Sequence, residues 1–408
     1  MPAFNYKQAY EKLERFGQTH LLKYWDELSP EQKTSLIEQI SDTDFSVVRV
    51  GKSDEVRGEI TPIPVTELED IEANKAEYKA AGLEEIRAGK VGAVLLAGGM
   101  GTRLGSDGPK GVYNIGITHD VFIFERLIRN LMDVTDEAGC FVHLFIMTSD
   151  KNHEATVNFL KEKDYFGYNG NYVHFFRQEM APAADYNGKV YLEEKWKLST
   201  SPNGNGGWYS SMFKSGMTDI MRESGIEWLN VFAVDNVLQR IADPVFIGAT
   251  KLANCSVGAK VIKKAAPDER VGTICYEDGH PSVVEYYELT DEMRDALTDD
   301  GKPAYNFGVI LNYLFRVPEL QSIVDAKMPL HVVEKKIPCL DGNGEKVSPQ
   351  KPNGYKYETL ILDMIHLLDT CLVFEVERSR EFAPIKNPTG IDSVESAREL
   401  LKLNGVEL

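Results

Sequence analysis

Between Gly98 and Lys110 the chain sets Gly98, Gly99, Gly101 and Gly105 around Arg103, then places Lys110 in a Pro-Lys-Gly triplet. A backbone this rich in glycine lets a ligand lie against peptide N–H groups, because no Cβ stands in the way. The two cations can neutralise the anion that the amides cradle. This chemistry calls for a phosphorylated ligand, a nucleotide first of all. A dinucleotide fingerprint needs GxGxxG, and Gly99-Met100-Gly101-Thr102-Arg103-Leu104-Gly105 has one residue too many. It also needs an acidic residue at the end of a strand roughly 20 residues on, and the next strand, Phe141 to Met147, ends too late. The P-loop string GxxxxGK[ST] does not occur. An inert turn is the plain alternative, but such turns seldom need this many glycines together with Arg and Lys.

Other residues stand where the chain could do chemistry. Asp235 follows the apolar run Trp228 to Val234, and a carboxylate at a strand end suits a magnesium ion, which takes one or two protein carboxylates and fills its shell with phosphate and water. Gln178 follows Val173 to Phe176 at the end of an expected strand, with an amide that can both donate and accept. The stretch Ser201-Pro202-Asn203-Gly204-Asn205-Gly206-Gly207, ahead of Trp208 and Tyr209, makes a tight loop with little side-chain bulk. Each has a plain reading as well: a strand-end residue, a surface amide, a hairpin loop.

These residues need elements to hold them. Val91 to Ala97 is a short apolar run that reads as a buried parallel strand leading into the glycines. From there, β-rich runs alternate with helical ones: helix at Ile123 to Met132, strands at Phe141 to Thr148, Val173 to Phe176 and Trp228 to Val234. Further strands are expected at Val257 to Ile262, Val271 to Tyr276 and Val283 to Leu289, in a mixed or antiparallel portion, and an amphipathic helix at Thr359 to Leu368. The pattern is that of an α/β, Rossmann-like core with a mostly parallel mixed sheet, in which ligands sit at the carboxyl ends of the strands. Residues 1–88 read as a helical accessory segment, with Ser29-Pro30-Glu31 as a helix start, a break at Pro62-Ile63-Pro64 and an acidic helix from Glu67 to Arg87. The expected division is 1–88, a catalytic core at 89–325, and 326–408 completing the site.

A chain of 408 residues with 43% hydrophobic and 26% charged residues suits a globular protein with a sizeable core. No run approaches the roughly 18 apolar residues of a membrane span, and the N-terminus lacks the apolar centre of a signal peptide. The five cysteines are scattered and without a CxxC, so reduced thiols in the cytoplasm are expected. A net charge of −18 argues against nucleic acid or anionic membrane as partner. A monomer or weak homodimer is expected.

The glycine loop with its PKG lysine resembles the signature of sugar nucleotidyltransferases. LAGGMGTRLG followed by PKG is similar to the UDP-N-acetylhexosamine pyrophosphorylase branch of the UDP-sugar pyrophosphorylase family, which usually carries Gln in place of Met100. The resemblance runs in order from about residue 90 to about 400. It implies that Leu96, Ala97, Gly98 and Gly99 bind the nucleotide, that Gln178 reads the uracil edge, and that Gly204 lies against the base while Asn205 holds the sugar. It makes Asp235 the metal ligand, with Asn236 orienting it from behind. The VEY segment gives Glu285 to the sugar hydroxyls. Asn306 falls in a segment close to FNAGNI, where Val309 replaces an Asn that contacts the acetylated sugar. Lys356 matches the PNG-x-K lysine, and Lys386 the lysine of F-[SA]-P-[LI]-K-N; both reach phosphates.

What the resemblance implies is uridylyl transfer: UTP and a sugar 1-phosphate give a UDP-sugar and pyrophosphate, with Mg²⁺ as cofactor. The sugar phosphate attacks the α-phosphorus in line, and Arg103, Lys110 and Lys386 carry the catalytic charge. N-acetylglucosamine 1-phosphate is the expected sugar. Met100 and Val309 keep glucose 1-phosphate, or a broad-range enzyme, as the alternative, and a silent nucleotide-sugar sensor is a further one. No left-handed β-helix repeat accompanies the core, whereas eukaryotic family members continue into a further C-terminal domain.

Overall fold

A computed structural model describes residues 4–51, 57–324, 326 and 328–408. They fall into two compact units. The larger draws on Arg57–Gln178, Trp208–Ala326 and Leu362–Leu408, the smaller on Met1–Val56, Glu179–Gly207 and Lys327–Ile361, in each case as far as those residues are described.

The larger unit is built on a ten-stranded mixed sheet. In chain order its strands are β1 Ile60–Thr61, β2 Val91–Leu96, β3 His143–Thr148, β4 Val173–Arg177, β5 Trp228–Ala233, β6 Val257–Lys263, β7 Thr273–Glu277, β8 His280–Val284, β9 Phe307–Arg316 and β10 Cys371–Glu375. All six residues of β2 are buried, which is why this run carries no polar alternation. Strands β5, β2, β3 and β4 lie side by side and parallel, in that order. Their register sets Ala233 beside Leu96, Leu96 beside Met147, and Thr148 beside Arg177. Four carboxyl ends therefore share one edge. Past β5 the sheet changes sense: β9 is antiparallel to β5 and to β6, and β7 and β8 form an antiparallel hairpin on β9. The sheet is thus parallel on the half that carries the nucleotide motifs and antiparallel beyond it.

Helix α4, Ile123–Ala138, buries Phe124, Leu127, Ile128 and Leu131 on one face, against the core that contains Val91, Ala93 and Leu95. In the smaller unit, α1 (Tyr6–Arg15) and α2 (Pro30–Asp42) each open on a capping box, from Asn5 and from Ser29, and Pro30 stands at the first helical position of α2. Leu13, Leu21, Leu36, Ile40 and Phe45 pack there with Val190, Leu198 and Tyr357 in a core of their own.

This partition differs from the sequential one. Residues 1–88 do not stay together: helix α3, Leu68–Arg87, belongs to the larger unit because it crosses helix Pro244–Leu252 at backbone contact. A Cβ at Gly82 would sit 1.8 Å from Pro244 O, and one at Gly248 1.7 Å from Tyr78 O. Nor is 326–408 one piece, since its strand Gly354–Glu358 pairs with His331–Lys335 and Ala184–Asp185 in the smaller unit, while β10 pairs with β6 in the larger. Two elements are shorter than expected. The strand before Leu289 ends at Val284, where Glu288 N donates to Glu285 O and closes a turn. The helix expected over Thr359 to Leu368 is Ile361–His366.

Candidate active site

The glycine loop leaves β2 at the shared carboxyl edge and is fixed at its base by the sheet and by one buried amide. Leu96 O accepts from Val234 N, and Ala97 N donates to Met147 O at 2.8 Å. Asn152, fully buried, donates from Nδ2 to Ala97 O at 2.9 Å and to Gly99 O at 3.2 Å. The spacing of the glycines carried no sign of this residue, because its role depends on the turn after β3. Leu96 and Ala97 therefore anchor the loop, while Gly98 and Gly99 form its accessible face, with open space where a Cβ at Gly99 would be. A Cβ at Gly98 would meet Gln178 Oε1 at 2.8 Å, so Gln178, following β4, stands directly beside the loop.

The loop then folds back on itself. Gly101 N donates to Gly108 O at 2.9 Å and Lys110 N to Gly99 O at 3.1 Å, which returns the PKG lysine to the loop's mouth. Gly105 closes the turn that carries Arg103 with a left-handed φ of 75°. Gly111 packs on the Phe124 ring so closely that a Cβ would lie 2.2 Å from it, which accounts for the glycine of the PKG triplet.

Asp235 sits two residues past β5, half-buried, beside the loop's base. Its carbonyl accepts from Ile385 N at 2.9 Å, which brings Lys386 to the same edge. Asn236 does not orient the Asp235 carboxylate from behind as expected. Its side chain, almost fully buried, donates to Glu381 O at 2.7 Å and accepts from Ala383 N at 2.9 Å, so it fastens the segment that delivers Lys386. Around Lys110 the charges meet. Burial pushes its ammonium below the ordinary lysine range; Asp235 pulls it back, and Lys386 and Arg103 push the same way as burial. Among the described residues no group of three or more His, Cys, Asp or Glu could hold a metal. A cation on Asp235 would thus draw most of its ligands from phosphate and water, a donor set that fits magnesium.

The expected sugar-side residues lie on different elements. Glu285 follows β8, with an oxygen 3.9 Å from where a Cβ on Gly272 would be, and Val309 approaches the same point at 3.4 Å. Those two form one neighbourhood. Asn306 precedes β9, where its carbonyl accepts from Lys264 N at 2.8 Å, and it lines a small cleft with Lys264, Arg294 and Tyr305. Gly204, Asn205 and Lys356 belong to the smaller unit. Gly204 has φ 89°, and a Cβ there would lie 2.1 Å from Thr359 O, so its bare face is taken up by backbone of the same unit. Asn205 Oδ1 accepts from Ile361 N at 3.0 Å. Lys356 lies half-buried in the strand Gly354–Glu358, opposite Val333.

Parallel strands ending in a glycine-rich loop beside one carboxylate and three cations suit a nucleotidyltransferase. Comparison with known proteins narrows the class. The family described as UTP–glucose-1-phosphate uridylyltransferase matches residues 46–404, and the chain belongs to it. Among its relatives, the UDP-N-acetylglucosamine pyrophosphorylase of Saccharomyces cerevisiae is 36% identical, over 94% of this chain and 86% of the yeast protein. The UDP-N-acetylhexosamine pyrophosphorylase-like protein 1 of Mus musculus is 35% identical, over 93% and 80%. A crystal structure of the uridine diphosphate N-acetylglucosamine pyrophosphorylase from Trypanosoma brucei superimposes with a TM-score of 0.81 at 25% identity, covering 97% of this chain and 84% of that one.

Proposed function

We propose that the chain transfers a uridylyl group from UTP to a sugar 1-phosphate, N-acetylglucosamine 1-phosphate first, giving the UDP-sugar and pyrophosphate. The observation that carries this reading is the meeting of Arg103, Lys110, Asp235 and Lys386 at one edge of the sheet, although they are spread over the length of the chain. A sugar phosphate is already a competent nucleophile, so no strong base is required. Alignment and charge cancellation supply the rate. Gly98 and Gly99 receive the nucleotide, Gln178 meets the uracil, and Arg103 holds the β and γ phosphates. Lys110 and Lys386 neutralise charge as the pyrophosphate leaves. Asp235 would hold magnesium, which would supply positive charge to offset that of the phosphates. Glu285 takes the sugar hydroxyls, with Asn306 as a further sugar contact.

The relatives named above support the acetylated sugar. A second reading, glucose 1-phosphate, is favoured by Val309, which brings a methyl group to the Glu285 neighbourhood where the resembling branch has an amide. The reverse reaction tests the transfer itself. Incubation with UDP-N-acetylglucosamine and pyrophosphate should yield UTP, and absence of UTP from both this and UDP-glucose would overturn the proposal.

A further inference from the structure

The scheme above leaves unused a carboxylate that touches one of its cations. Asp392 Oδ2 lies 3.0 Å from Lys386 Nζ, and the two side chains are 26% and 38% exposed. The chain between them turns back so that Asp392 O accepts from both Lys386 N, at 2.6 Å, and Asn387 N, at 3.1 Å. Asp392 has φ 53°, the left-handed region that residues other than glycine seldom enter. It is held there from both sides. The two N–H groups grip its carbonyl, and the next residue, Ser393, is fully buried and caps helix Val394–Leu403 through a capping box with Ser396. The conformation persists because its surroundings determine it, and it presents the Asp392 carboxylate to Lys386.

We propose that Asp392 is a positioning residue for uridylyl transfer: its carboxylate fixes the Lys386 ammonium at the carboxyl edge of the sheet, where the phosphates react. A lysine has four rotatable side-chain bonds, and without a partner its ammonium is spread over many positions. Lys110 shares the same edge and repels it. Asp392 offsets that repulsion, so the cations can stand together before a polyanion arrives. An ammonium has three donors, so Lys386 can keep Asp392 while it donates to a phosphate oxygen.

The inference rests on the transfer reaction proposed above. Its test is a double-mutant cycle on the full chain, read as kcat and KM for pyrophosphate release from UTP. Asp392→Asn should lower kcat about tenfold and change KM for UTP by less than about twofold. In a Lys386→Met background the same substitution should change nothing further, because the group it positions is gone. Asp392→Gly, which suits the left-handed backbone and also removes the carboxylate, should match Asp392→Asn in kcat, separating the charge from the fold. Wild-type kcat in Asp392→Asn overturns the role, and so does an equal loss in both backgrounds, which would mark a merely structural residue. A silent wild type would overturn the reaction and this role together, whereas an active wild type with an unimpaired Asp392→Asn overturns the role alone.

Discussion

Arg103 and Lys386 reach the site by different routes, one in the turn closed by Gly105 and the other on a segment fastened by Asn236, so each can be removed without disturbing the other's support. Arg103→Ala or Lys386→Ala should each lower steady-state turnover by about a hundredfold or more; a near-normal rate in either purified variant would strike that residue from the mechanism. Lys110 gives a pH signature. Its ammonium is pushed down, first by burial, so in the free protein it loses its proton below the ordinary lysine range. Phosphates favour the charged form, so binding draws a proton back as pH rises through the free-state value. UTP affinity should therefore weaken on the alkaline side, starting below the ordinary lysine range, with proton uptake visible by calorimetry in buffers of different ionisation heat. Lys110→Arg, charged throughout, should flatten that limb; an identical alkaline limb would assign it to another group. Arg103 and Lys110 stood out in the sequence because few other roles need Arg, Lys and glycine so close together, whereas Lys386 was singled out only by the family resemblance. Asn152 and Asp392 were not readable, since an amide or a carboxylate acquires its role only where the chain happens to return.

At the level of elements, the parallel strands were legible because burial on both faces leaves a largely apolar run, as in Val91–Leu96 and in Trp228–Ala233, where Asn230 alone is polar. The antiparallel half was harder. Strand β9 carries a bulge near Leu311, at φ 52°, which shifts its register against β6 between Ala259 and Val261. Alternation breaks at such a point and the pattern no longer tells which face Val309 serves. The strand expected to run through Glu285 stops at Val284 because Glu288 turns the chain, Glu285 N donating to Glu288 Oε2 at 2.9 Å. Helix α3 was found from its acidic, periodic sequence, but not its docking. Gly82 and Gly248 let two helix backbones touch, and a glycine within a helix reads only as a weak position. Gly82→Ala should cost about 1–3 kcal/mol in urea unfolding, since the added methyl must displace the Pro244 carbonyl. Unchanged stability would show that the crossing is looser than the structure has it.

For the whole molecule, the expected cut at residue 88 failed for a physical reason: periodicity identifies a helix but not the surface that receives it. The chain enters the larger unit well before α3 begins, through β1 at Ile60–Thr61 and the bond from Thr66 N to Val373 O, while residues 179–207 and 328–361 leave that unit to join the N-terminal helices. Each excursion is closed by contacts far apart in sequence, which no local pattern encodes. Charge acts at this scale too. A chain of net charge −18 must concentrate cations to accept UTP and a sugar phosphate, both anions, and the cluster around Lys110 meets that need against the global field. No helix among the described residues is long and apolar enough to cross a membrane. The most direct test of the account is pyrophosphate release from UTP and magnesium by the full chain, with N-acetylglucosamine 1-phosphate and glucose 1-phosphate compared in parallel. Release is expected with both Mg²⁺ and a sugar 1-phosphate present, faster for the acetylated sugar. Faster release with glucose 1-phosphate would mean that Val309 and Met100 mark a changed sugar pocket, and no release with either sugar would contradict the central claim that this edge transfers a uridylyl group.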